Sequence, residues 1–90
     1  MNLQEEIKKS FPRLEKLFCD EELAAFTNTP PDEIALYHFT LGAWIRNNLL
    51  YPPKSPLYCL FLADGILRPD DMSGHIIRQF YEYLQNRDEI

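Results

Sequence analysis

From Thr29 to Leu50 the chain reads TPPDEIALYHFTLGAWIRNNLL, with apolar residues on nearly every turn of a helix. At about 100° per residue, Ile34, Tyr37, Leu41, Trp44, Ile45 and Leu49 share one face. Leu36, Phe39, Ala43 and Leu50 make a second strip, and only Thr40 and Asn47 clearly mark a solvent side. A helix apolar on most of its circumference belongs inside a fold. The pattern therefore predicts one buried rod over about residues 30–50, roughly 30 Å long. Thr29 is its expected N-cap, Pro30 its first residue and Pro52-Pro53 its stop. Gly42 interrupts it at about 1 kcal/mol relative to alanine, so another backbone is expected to pass close by. His38, Arg46 and Asn48 fall among its apolar positions and need polar partners.

The remaining segments would cover that rod. Asn2 and Glu5 have the spacing of a reciprocal cap, followed by Leu3, Ile7, Phe11, Leu14, Leu17 and Phe18 at helical intervals. Pro12 falls inside this pattern, so a break near Ser10-Phe11 is expected. Asp20 would cap a short helix through Phe26. Ser55 caps a second, over 56–63, with Gly65 in a left-handed closing position and Ile66 beyond it. The last helix opens at Pro69 and runs to about Asn86, with Met72, Ile76, Phe80, Tyr83 and Leu84 inward. Arg87 and Asp88-Glu89-Ile90 are expected to fray. No period-two run suggests a strand. The fold class is all-α: a compact single domain over 1–90, of about five helices packed around the central one.

Composition changes this picture little. Ninety residues suit one domain with a modest core, and 13% aromatic residues predict an aromatic-rich interior. The net charge of −5 would repel a phosphate backbone. Lys8, Lys9, Arg13 and Lys16 read as a solvated face. Nothing at the start of the chain resembles a signal peptide, and the longest apolar run, 57–63, is too short to span a bilayer. The expected compartment is the cytoplasm, with Cys19 and Cys59 as reduced, core-filling thiols.

Two stretches together resemble a small, uncharacterised bacterial family. From His38, the run Leu41-Gly42-Ala43-Trp44-Ile45-Arg46-Asn47 fits an LGxxIRN pattern. Gly65-Ile66-Leu67-Arg68-Pro69-Asp70-Asp71-Met72-Ser73 fits a GIxxPDDMS pattern. The resemblance spans about residues 29–84 and does not draw on the stretch through Phe26. It implies a domain of unknown function with no established activity or cofactor. Arg68 stands where the resemblance leads one to expect His, which argues against His-dependent chemistry there.

The same motifs carry the candidate polar network: His38, Arg46 and Asn47 on the long helix, with Asp70, Asp71 and Ser73 at the start of the last. Arg46 is expected to contact Asp70 or Asp71 and so pin the two helices together. If that pair is partly buried, losing one partner would cost about 3–5 kcal/mol. Asp71 and His75 share a helix face, but two ligands do not make a metal site. No Gly-x-Ser-x-Gly elbow, P-loop, dinucleotide fingerprint or His-Glu-x-x-His run is present, so no catalytic residue, metal or cofactor is assigned.

The expected function is a non-enzymatic protein–protein interaction module, such as an adaptor, inhibitor or immunity-type protein. Its partner would be another protein rather than nucleic acid or membrane, and its oligomeric state stays open. Such a module should expose an aromatic or apolar patch, for which Tyr58 and Tyr81 are candidates. The alternative is a small ligand-binding protein or enzyme with a polar site around His38, Arg46 and Asp71.

Overall fold

A computed structural model describes residues 2–87; Arg87, expected to fray, is helical, and the same expectation for Asp88-Glu89-Ile90 lies outside the described residues. In chain order these form α1 (Leu3–Glu15), α2 (Asp20–Thr27), a 3₁₀ segment (Pro31–Phe39), α3 (Leu41–Ile45), a π turn (Arg46–Leu50), α4 (Pro56–Ala63) and α5 (Pro69–Arg87). The all-α expectation holds, and no strand occurs among the described residues.

The single rod over 30–50 does not form. Pro30 cannot be helical because Pro31 follows it, so it sits extended at φ −60°, ψ 144° and the helical backbone starts one residue late. Thr29 does not cap; its hydroxyl donates back to the Ala25 carbonyl. The first nine helical residues wind at three per turn, and Thr40 (φ −107°, ψ −80°) separates them from α3. α3 then widens into the π turn, closed by Tyr51 N–H on the Arg46 carbonyl at 2.8 Å. The segment is helical nearly throughout, yet it is its second half that is sunk deepest in the core, through Leu41, Ile45, Leu49 and Leu50, while the first half is anchored there by Ile34. Asn48 is exposed rather than buried, and its amide donates to the Trp44 carbonyl at 2.9 Å.

The deepest packing belongs to α5. Met72, Ile76, Phe80 and Leu84 recur every four residues and are fully buried, as their spacing predicts. Tyr83, expected inward, is partly exposed; Ile77 and Tyr81 are buried instead, because α5 is covered on a second side by the 3₁₀ segment and α3. The Tyr81 hydroxyl donates to the Thr29 carbonyl at 2.6 Å, and the Gln85 amide donates to the Thr27 carbonyl. The interior is aromatic as composition suggests, with Phe11, Phe26 and Phe80 buried together.

Local signals held where a polar cap or turn residue defined them. Asn2 accepts from Glu5 N–H at 2.9 Å. Gly65 adopts φ +85°, with its own N–H on Leu62 and Ile66 N–H on Phe61, both at 3.0 Å, the double closure expected there. Ser55 is buried, accepts from Tyr58 N–H at 3.2 Å and donates to the Leu49 carbonyl at 2.5 Å. Ser55→Ala removes both bonds at once and is expected to lower stability by about 1–2 kcal/mol in urea denaturation.

Three local expectations are corrected. Pro12 does not break α1, which runs through it from Leu3 to Glu15; Pro12 and Lys8, whose carbonyl loses its helical partner, are both exposed residues. α2 starts with Cys19, not Asp20, in the capping position; the Glu22 carboxylate accepts from Cys19 N–H at 2.9 Å, which holds its pKa below the usual range. Both cysteines are exposed rather than core-filling.

Candidate functional site

The 3₁₀ winding decides what this face of the molecule presents. With a repeat of about three residues, the segment carries three ridges. Ile34 is buried and Tyr37 packs against the core. Asp32, Ala35 and His38 line a groove. Glu33, Leu36 and Phe39 form the third ridge, turned outward. Leu36 is 74% exposed and Phe39 82% exposed. The α-helical repeat placed both in an inner strip; a change of about 20° per residue over nine residues rotates them into water.

The groove runs between this segment and the first half of α5, with the 65–68 turn at one end, and has a volume of about 1010 Å³. His38 and Asp70 meet at one end, while the Tyr81–Thr29 bond lies toward the other, so the segment runs antiparallel to α5. Leu67, 67% exposed, lines the groove together with Phe39. Tyr58 and Tyr81 are not the exposed patch: Tyr81 is buried and Tyr58 packs against the core.

At the His38 end lies the polar network. Arg46 Nε is 3.7 Å from Asp70 Oδ1, the contact expected from sequence. Arg46 Nη1 donates to Ser73 Oγ at 2.9 Å, and Arg46 Nη2 donates to the His38 carbonyl at 3.2 Å. His38 Nδ1 is 3.5 Å from Arg46 Nη1, and its Nε2 is 4.0 Å from Asp70 Oδ1. Buried Ser73 in turn donates to the Asp70 carbonyl at 3.0 Å. His38, Arg46, Asp70 and Ser73 are thus brought together. Asp71 and Asn47 are not: Asp71 lies in the groove wall without a bond to Arg46, and Asn47 is exposed. Adjacent helix positions point about 100° apart, so only one of two neighbouring aspartates can reach Arg46.

This geometry explains Gly42. A Cβ there would lie 3.0 Å from Arg46 Nη1 and 3.6 Å from the Tyr37 carbonyl. The tight neighbour is the guanidinium, not a second backbone as expected. Gly74, also helical and on the groove wall, is different: a Cβ there would meet nothing within 4 Å. Gly74→Ala is therefore expected to stabilise the folded chain by about 0.5–1 kcal/mol, read as a raised denaturation midpoint.

Chemically, Arg46 and Ser73 are occupied within the fold, whereas His38 Nε2 and the Asp70 carboxylate are partly open to solvent. Arg46 binds two acceptors and lies beside a carboxylate; Ser73 both accepts and donates. Among the described residues no group of three or more His, Cys, Asp or Glu side chains is placed to hold a metal ion, and no helix is long and apolar enough to cross a membrane. Sequence reasoning missed Leu36, Phe39, Leu67 and Gly74. The available signal was the i, i+3 spacing of Leu36 and Phe39, which eclipses in a 3₁₀ turn.

No curated protein and no solved structure matches the chain. A family model described as a domain of unknown function (DUF6794) matches residues 5–84, reaching further toward the N-terminus than the two motifs that first suggested a family, and the chain belongs to it.

Proposed function

We propose that this domain is a non-enzymatic protein–protein interaction module that docks a protein partner along the 3₁₀ ridge and groove. The observation that carries this is the exposure of Leu36, Phe39 and Leu67, large apolar side chains beside one concave surface. Burying such surface is the main favourable term in protein association. The polar network supports the same reading, because the Arg46 donors already hold structural acceptors and Ser73 is buried, out of reach as a nucleophile. The net charge of −5 disfavours nucleic acid. Two exposed, unpaired cysteines suit a reducing compartment, so the cytoplasm is the proposed site of action.

The test is affinity capture from native cells with the wild-type chain and with the Phe39→Asp/Leu67→Asp variant, followed by calorimetric titration of the purified captured protein. The expected result is saturable binding that the variant weakens by at least about tenfold, or about 1.4 kcal/mol. Binding indifferent to both positions, or a small molecule held in place of a protein, would overturn the proposal.

A further inference from the structure

We propose that the groove face is a symmetric interface, occupied by a second copy of this chain whose α5 crosses α5 antiparallel at Gly74. The inference rests on the docking reading above and names its occupant. Two independent features lead to it.

The first is Gly74 itself. It sits inside a 19-residue helix, where glycine is unfavourable, and the space its side chain would fill is open. Nothing within the fold uses the missing Cβ. A second helix does, because the separation of two packed helices is set by the side chains at their crossing point.

The second is the order of charges around it. Asp71 precedes Gly74 by three residues and Arg78 follows by four; both are exposed, and neither has an ion-pair partner among the described residues. Helical geometry puts them on the same side of Gly74, about 60° and about 40° round, and about 4.5 Å and 6 Å away along the axis. A two-fold axis that reverses one helix against the other sets Asp71 of each copy beside Arg78 of its mate, twice by symmetry. A parallel crossing sets Asp71 against Asp70 of the other copy, so the charges select the antiparallel arrangement.

The groove's charge balance fits a self-complementary surface. Of its three aspartates Asp70 already sits beside Arg46, which leaves Asp32 and Asp71 against Arg68 and Arg78, although the chain as a whole is acidic. Phe39 and Leu67, at the groove's edge, supply apolar surface for the second copy to cover.

The test is sedimentation equilibrium of the full chain over a concentration series, with circular dichroism to confirm that each variant folds. Wild type is expected to form a dimer that weakens as salt rises. Asp71→Arg and Arg78→Asp each place like charges together twice, and each should raise the dimer dissociation constant by at least about tenfold. An equimolar mixture of the two variants should recover dimer, because both pairs are again opposite in sign, one reversed and the other in its wild-type order. Gly74→Ala should raise the thermal midpoint of the monomer while weakening the dimer. A wild-type chain that stays monomeric overturns the proposal. So does a dimer that the charge variants leave unchanged, or a mixture that does not associate. A monomer that still binds a foreign protein through Phe39 and Leu67 removes only the second copy; a chain that does neither removes the docking reading as well.

Discussion

Phe26→Ala is expected to lower stability by about 3–5 kcal/mol, the usual cost of emptying a buried phenylalanine site. Phe26 is fully buried and touches most of the aromatic interior. Its ring stacks on Phe80 and Phe18 at centroid distances of 5.6 and 5.7 Å, and meets Tyr37 and Tyr81 edge-on at 4.8 and 5.8 Å. Those neighbours come from α5, the α1–α2 turn and the 3₁₀ segment, so no single element can relax to fill the void. A domain of this length has about 5–13 kcal/mol in total, so the variant should approach the folding threshold. Chemical denaturation gives the number. Phe39→Ala is the control: the same residue type in water should change stability by no more than about 0.5 kcal/mol.

The second large effect is at Arg46. Arg46→Ala should cost about 2–3 kcal/mol, because it strips charged donors from the buried Ser73 hydroxyl and from the His38 carbonyl. The latter lies just before the Thr40 break, where the helical ladder is interrupted. The Asp70 contact contributes less than a fully buried pair would: the Arg46 side chain is 12% exposed but Asp70 is 55% exposed, and water replaces much of the lost attraction. Asp70→Asn should therefore cost less than about 1 kcal/mol. Arg46→Lys should not rescue the alanine variant, since one ammonium cannot span acceptors that the guanidinium reaches with separate nitrogens. Denaturation of the three variants gives the ranking, and hydrogen exchange adds a local readout. Loss of Arg46 should speed exchange over the 3₁₀ segment more than over α5.

Much of the fold was legible because polar and conformational signals were local. Asn2, Ser55 and Gly65 each cap or close a helix end within four residues of themselves, as their chemistry dictates. α5 was legible because its apolar stripe is narrow and admits one helical period. The 31–39 segment is apolar in too many directions for that. Leu36 and Phe39 look buried at 3.6 residues per turn and exposed at three, and nothing inside the segment chooses between the two periods. Distant contacts hold the outcome in place: Tyr81 holds the Thr29 carbonyl at one end, and Arg46 holds the His38 carbonyl at the other. The candidate network was half legible for a related reason. That one of two aspartates meets Arg46 follows from charged residues on helices that must pack, but which of Asp70 and Asp71 does so depends on how α5 is rotated, and Asn47 turns to solvent beside Arg46.

The central claim is that the chain from Pro31 to Phe39 turns Leu36 and Phe39 into water beside the groove. Thiol labelling in dilute solution tests it most directly. Single cysteines at positions 34, 36 and 39 would be introduced after Cys19→Ser and Cys59→Ser remove the two exposed native thiols. The account predicts fast labelling of Leu36→Cys and Phe39→Cys at rates near those of the unfolded chain, and slow labelling of Ile34→Cys. Protection of positions 36 and 39 equal to that of position 34 would mean that the segment packs both strips inward, and would contradict it.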